Sequence, residues 1–238
     1  MSVLVIANSQ NFYEKVDLPY DEIKRLKDVD LFKQHITEEK ETAFYDIDRD
    51  YGIDYDTISD LRLKTKQIFE EWFKLLNIDS FVPHQHTEDT PSRLSRMYIN
   101  ELMKYAFEPT PKITTFKNVN GDGLVKLENI EINSLCAHHL VPFIGKASIA
   151  YIPNEKLLGL SKLPRLCQFF AYKPSIQEEL TIDTINYIYK IIEPKAIYYT
   201  MTCEHLCMKI RGVKSDSITT TSKYLGDRTY YDLLVKGG

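Results

Sequence analysis

The sequence predicts an α+β domain, an antiparallel sheet carrying helices on one face and preceded by helices. Three observations carry that reading. Two amphipathic helical patterns fill the stretch before residue 106. Two groups of β-branched segments follow, one ending near residue 152 and one starting near residue 196. Two more helical patterns lie between those groups.

Residues 1–56 read as an N-terminal extension, within which Val3 to Ala7 fits a strand. The run DIDRDYGIDYD sets Asp46, Asp48 and Asp50 at alternate positions, as a calcium loop does. Its glycine, Gly52, falls one place late, and the twelfth position is Thr57 rather than glutamate. A solvated loop or helix start fits better.

The remaining elements follow in order. From Thr57 to Leu76, the residues Leu61, Ile68, Phe69, Trp72, Leu75 and Leu76 share one helical face, with Thr57 or Ser59 as caps. A second helix begins at DTPSR. Thr90 is its candidate N-cap, and Pro91 sits where a missing N–H costs nothing. Leu94, Met97, Tyr98, Leu102 and Tyr105 form its expected buried stripe. Strands are predicted at Ile113 to Phe116, Val125 to Leu135 and Gly145 to Ile152, with a turn at Asn120 to Gly123. A helix follows Ser161, and another runs from Ile176 to Ile192, with Glu178 and Glu179 suited to its N-terminus. Strands return at Ala196 to Thr202, Cys207 to Gly212 and Ile218 to Ser222.

Composition narrows the function. The 238 residues carry 30 Lys plus Arg against 34 Asp plus Glu, a formal net charge of −4. That balance argues against a nucleic-acid binder, which needs a basic face. An anionic ligand must instead meet a local cluster of basic residues. No apolar run approaches the roughly 20 residues of a membrane helix, and MSVLVIANSQ lacks a signal-peptide pattern. A cytoplasmic protein without membrane or nucleic-acid partners is expected. Its four cysteines read as thiols or metal ligands rather than disulfides.

Three cysteines and three histidines gather in two short segments, Cys136-Ala137-His138-His139 and Cys203-Glu204-His205-Leu206-Cys207. Thiolate and imidazole together favour zinc. Cys136 and His139 can share a metal only if the chain turns there. Cys203 and Cys207 would stand about 13 Å apart on an extended strand, at about 3.3 Å per residue, so only one of them can join. Three protein ligands leave a position for water, as in catalytic zinc. A closed structural zinc, or buried thiols with no metal, fits the same spacing.

Five ordered segments resemble the GTP cyclohydrolase I family: DTPSR, SLCAHHLVPFIGKASIAYIP, GLSKLPRLCQFFAYKPSIQEELT, HLCMKIRGV and ITTTS. The likeness spans residues 57–238. It implies the tunnelling fold (T-fold), in a ring-forming homo-oligomer, a decamer with sites at subunit interfaces. It also implies zinc held by Cys136, His139 and Cys207, which leaves Cys203 and Cys167 as packing residues. The implied reaction is hydrolysis of GTP. Water activated by zinc attacks the guanine five-membered ring, formate leaves, and the product closes to 7,8-dihydroneopterin triphosphate. Folate, tetrahydrobiopterin and 7-deazaguanine routes share that first step.

Further roles come with the resemblance. His138 and His205 match catalytic histidines, and Ser161 matches a serine at the ribose. Glu178 matches the carboxylate that binds guanine, with Gln177 beside it. Lys162, Arg165 and Arg211 match triphosphate contacts. Arg93 matches an arginine supplied by a neighbouring subunit, and Arg96 stands where lysine is common. One departure is Ala137, where the family usually has glutamate beside the zinc cysteine. An orienting carboxylate is thereby lost. That leaves room for an altered purine nucleotide substrate or for a non-catalytic nucleotide-binding ring.

Overall fold

The computed structural model describes residues 3–7, 12–16, 55–119, 121 and 123–236. The chain divides into two compact units, Met1–Ile47 and Asp48–Gly238. In the first, β1 (Val3–Ala7) pairs antiparallel with β2 (Phe12–Val16), so the expected first strand is present. The acidic run at residues 46–54 lies outside the described residues.

The second unit opens with α1 (Tyr55–Leu76), which starts two residues before the expected caps. Its apolar stripe is not core: Ile68, Trp72 and Leu75 are 67%, 50% and 83% exposed. Phe69 of that stripe and the backbone at Arg62 are engaged. Phe69 stacks on Tyr98 at 5.8 Å, and the backbone carbonyl of Arg62 accepts from the Ser95 hydroxyl. Periodicity marks an apolar face but does not say what covers it.

A short helix α2 (His84–Thr87) leads to α3 (Thr90–Arg96). The N-cap is Asp89, not Thr90, and Pro91 occupies the first turn. The next six residues, Met97–Leu102, form a π-helical turn. The buried residues are Pro91, Ser95, Ile99 and Tyr105, while the predicted Leu94, Met97, Tyr98 and Leu102 are only half-buried. A wider turn rotates the buried line away from a strict 3.6-residue period.

The sheet runs in the order β7-β4-β5-β8-β9. Its strands are β4 (Val125–Cys136), β5 (Pro142–Ile152), β7 (Pro174–Ser175), β8 (Ala196–His205) and β9 (Ile218–Gly226). All pairs are antiparallel except β4 with β7, and β9 forms one edge. A separate pair joins β3 (Thr115–Lys117) to β6 (Lys156–Leu158). The expected turn between β3 and β4 is described only at Gly121, with φ 80°, and Gly123.

Two helices carry the buried layer: α4 (Lys162–Ala171) and α5 (Gln177–Ile192). Leu163, Leu166, Phe170, Leu180, Ile185 and Ile188 bury fully, as do Ile132, Ile149, Tyr151, Ile197, Tyr199 and Met201 of the strands. Along β8, Ile197, Tyr199, Met201 and Cys203 are buried, while Tyr198, Thr200, Thr202 and Glu204 are not. That period of two is the signature of a sheet covered on one face.

The strand expected at Cys207 to Gly212 is absent. Helix α6 (Leu206–Lys209) stands there instead, followed by a turn through Gly212. The β8–β9 ladder ends at Glu204 and Ile218, so the link between them has no partner for an extended backbone. A last helix, α7 (Tyr231–Lys236), closes the described chain. Among the described residues no helix is long and apolar enough to cross a membrane.

Candidate metal centre and active site

The site forms where three chain segments end close together. Cys136 closes β4, and its N–H donates to the Val141 carbonyl at 2.9 Å. The chain then reverses. Leu140 donates to the Cys136 carbonyl at 2.8 Å with a left-handed backbone, φ 52°. The Ala137 N–H is held by the Ser175 carbonyl of β7 at 3.0 Å. This turn presents the exposed side chains of His138 and His139.

The second segment is the end of β8. His205 is its last residue and Cys207 lies in α6, so the strand-to-helix change removes the extended geometry that separates Cys203 from Cys207. Cys203 stays in the core at 1% exposure, and Cys167 is fully buried. Burial pushes both thiols up to about 12. All four cysteines are free.

Gly145 lets β5 and β8 approach. A β-carbon there would stand 2.0 Å from the Thr202 carbonyl oxygen and 2.7 Å from the Cys203 sulfur.

Among the described residues, Cys136, His205 and Cys207 form one group with donor atoms within 4.8 Å of one another. Two thiols and an imidazole suit zinc. Burial raises the Cys207 thiol, as does the facing Cys136 thiol, while the charge of Arg211 opposes them. The raised Cys207 thiol holds its proton until a cation compensates, so the donor set fits a metal.

The other expected residues take distinct places. His139 lies outside that group, with its Nε2 2.7 Å from the Arg211 guanidinium. His138 Nδ1 is 3.7 Å from the Cys136 sulfur. His205 lies flat on Phe143, and its Nε2 is 2.8 Å from the Gln177 side-chain oxygen. Burial lowers the His205 imidazole below its ordinary value, and the charge of Glu178 pulls the other way. Glu178 is exposed in the first turn of α5.

Ser161 is the N-cap residue of α4, yet its hydroxyl makes no capping bond. Lys162 and Arg165 follow on that helix. Arg93 and Arg96 lie exposed on α3, with Arg93 3.6 Å from Asp89. Sequence reasoning did not identify Phe143, or the threonines that surround Gln177. Phe143 was within reach, because it pairs with His205 in the β5–β8 register.

Comparison with known proteins agrees with this layout. A family model described as GTP cyclohydrolase I matches residues 66–231. A protein of Sulfurihydrogenibium sp. (strain YO3AOP1) named GTP cyclohydrolase 1 is 43% identical over 140 residues, 58% of this chain and 73% of the relative. Proteins of the same name from Shewanella sp. (strain W3-18-1) and Aliivibrio salmonicida (strain LFI1238) are each 36% identical over 165 residues. That is 68% of this chain, and 76% and 75% of the relatives. The matched stretch contains the whole five-stranded sheet, both helices packed on it and the cysteine–histidine group, and the chain therefore belongs to the GTP cyclohydrolase I family of enzymes.

Proposed function

We propose that this chain is a zinc-dependent GTP cyclohydrolase that opens the guanine five-membered ring of GTP, releases formate and forms 7,8-dihydroneopterin triphosphate. The observation that carries the reading is the convergence of Cys136, His205 and Cys207 within 4.8 Å, inside the stretch matched by the family. Cys136 and Cys207 would hold the metal with His139, the histidine at the family's ligand position. When bound, zinc supplies Lewis acidity, which lowers the pKa of a water to roughly 7.

The protein's own groups do the remaining work in this reading. His138 and His205 exchange protons with the departing guanine nitrogens, since imidazole titrates in the useful range. Glu178 accepts hydrogen bonds from guanine N–H groups. Ser161, its hydroxyl not spent on a cap, lies at the ribose. Lys162, Arg165 and Arg211 hold the triphosphate, and Arg93 and Arg96 reach it from a neighbouring subunit.

That last role requires an assembly. The reading assigns residues 57–238 to a tunnelling-fold domain in a homodecameric ring, with residues 1–56 as an extension. The exposed apolar side of α1 and the open edge at β9 support it. Four free thiols support a reducing, cytoplasmic setting.

The test is incubation of zinc-loaded protein with GTP, with formate and the fluorescence of the oxidised pterin as readouts. No turnover by an assembled, zinc-loaded sample would sink the reading. Ala137 favours a second reading, a changed purine nucleotide preference, because the turn carries no carboxylate beside Cys136. Comparing rates for GTP, dGTP and ATP separates the two. Clear preference for GTP removes the second.

A further inference from the structure

We propose that Gln177 is a positioning residue that locks His205 as its Nε2–H tautomer and leaves Nδ1 as the working nitrogen. The reaction served is the one proposed above; the tautomer itself follows from hydrogen bonding alone.

Gln177 is the first residue of α5 and is only 1% exposed. A carboxamide offers one acceptor oxygen and two N–H donors. Its Nε2 lies 3.1 Å from each of three acceptors, the Met201 carbonyl, the Thr219 carbonyl and the Thr221 hydroxyl oxygen. Two of these are backbone carbonyls, which can only accept. The reversed amide would set its oxygen against both carbonyls in a buried place, where polar groups left without a hydrogen bond are costly. The orientation is therefore fixed by its partners rather than assumed.

The threonines agree with this assignment. Thr181 donates its hydroxyl to the Gln177 backbone carbonyl at 2.9 Å. At the 2.6 Å contact between Thr181 and Thr221, Thr221 must then be the donor. Its oxygen remains free to accept from the Gln177 amide. The two N–H groups are shared among three acceptors, and the path through Thr221 runs one way, from the amide to Thr221, to Thr181, and back to the Gln177 backbone.

The side-chain oxygen of Gln177 is left facing His205 Nε2 at 2.8 Å. An amide oxygen can only accept, so the imidazole donates from Nε2. In the neutral ring the lone pair then sits on Nδ1. Phe143 fixes the remaining freedom. Its ring lies 4.7 Å from that of His205 and 14° from parallel, which sets the imidazole plane. Both N–H donors of the Gln177 amide are engaged inside the protein, and its oxygen spends one lone pair on His205. A partner on the second ring nitrogen fixes the tautomer and plane of a histidine; for metal-ligating histidines its loss typically costs about 10- to 100-fold, and the same order is expected here.

The experiment is solid-state 15N NMR of zinc-loaded protein labelled with [15N]histidine, with His205 assigned by difference against His205→Asn. The wild type should show a protonated Nε2 and a bare Nδ1. In Gln177→Leu the two tautomers should mix, and kcat should fall about 10- to 100-fold with KM for GTP unchanged within about threefold. Gln177→Glu keeps an acceptor for His205 and should retain the Nε2–H signature, but its second oxygen would face the Met201 and Thr219 carbonyls, so a lower melting point is expected with it. Should Gln177→Leu fail to fold, the wild-type spectrum still decides. A proton on Nδ1 in the wild type overturns the proposal, and so does a Leu variant that raises KM at unchanged kcat. A wild type with the expected spectrum but no turnover of GTP removes the functional reading and leaves the tautomer standing.

Discussion

Phe143 and His205 face each other across the β5–β8 ladder with rings 4.7 Å apart and 14° from parallel. Phe143 is fully buried and His205 is half-buried, so the stack joins the core to the site. Such ring pairs are worth about 0.5–1.5 kcal/mol beyond their area. Phe143→Leu keeps an apolar side chain but loses the flat face. If the whole effect reaches the transition state, kcat should fall about 2- to 13-fold. Steady-state rates on GTP, with circular dichroism to confirm folding, check this. An unchanged kcat would mean that the stack does not restrain the His205 imidazole in the step proposed for it.

Gly145→Ala should harm stability more than any surface change. The added carbon meets backbone at 2.0 Å, and backbone cannot turn away as a flexible side chain can. Overpacking of this kind costs on the order of 3 kcal/mol. At roughly 2–4 °C per kcal/mol for a chain of this size, calorimetry should show a lower melting point by about 6–12 °C. The β5–β8 register also carries His205, so activity should fall at temperatures where the variant is still folded. A melting point within about 1 °C of the wild type would contradict the close approach.

The thiols should divide into two pairs. Cys167 and Cys203 are pushed up to about 12 by burial, and the thiolate is the reactive form. At pH 8 both should resist a maleimide in the native protein and react once it is unfolded. Cys136 and Cys207 should be protected by zinc and react after chelation. The pH dependence of stability follows the same shift. The folded state keeps protons that the unfolded chain releases near pH 8.5, an ordinary thiol value of about that size. The stabilisation is therefore complete below that pH and is lost as pH rises toward about 12. Urea midpoints should fall across that window, and less steeply in Cys203→Ala. Four equally fast thiols in the native, zinc-loaded protein would refute the division.

The exposed stripe of α1 gives a test of assembly. Trp72→Glu and Leu75→Glu replace side chains that are 50% and 83% exposed, so each single chain should still fold. In the proposed ring, charges on that face should shift the particle to smaller species by light scattering. Activity should fall with it, because Arg93 and Arg96 would no longer reach a neighbour's site. An unchanged particle mass would show that this face is not buried on assembly.

How much of this was legible in the sequence depends on the distance over which each feature is decided. Pro91 in the first turn of α3 and the acids Glu178 and Glu179 on α5 are local signals, and both elements stand where those signals set them. The ladder partners of β4, β5 and β8 were written in β-branched runs. The metal-type residues were visible as two clusters of cysteine and histidine. The helix at Leu206–Lys209 was not legible, because it forms where a ladder ends, and the ladder's length depends on β9. The burial of Gln177 was not legible for the same kind of reason: the resemblance sets it beside Glu178 at the guanine and says nothing of what surrounds it. Its partners on β8 and β9 lie 24 to 44 residues away and appear only when the sheet forms.

The nine-residue β9 forms an edge of the sheet and pairs on one side with β8. A strand edge is a template that accepts any extended chain, right or wrong. In the proposed ring, the monomer that has folded but not yet met its neighbours would be the vulnerable species. Recovery from denaturant should be governed by a race at that edge between docking and misjoining, and dilution alone would not settle it, since both outcomes need a second chain.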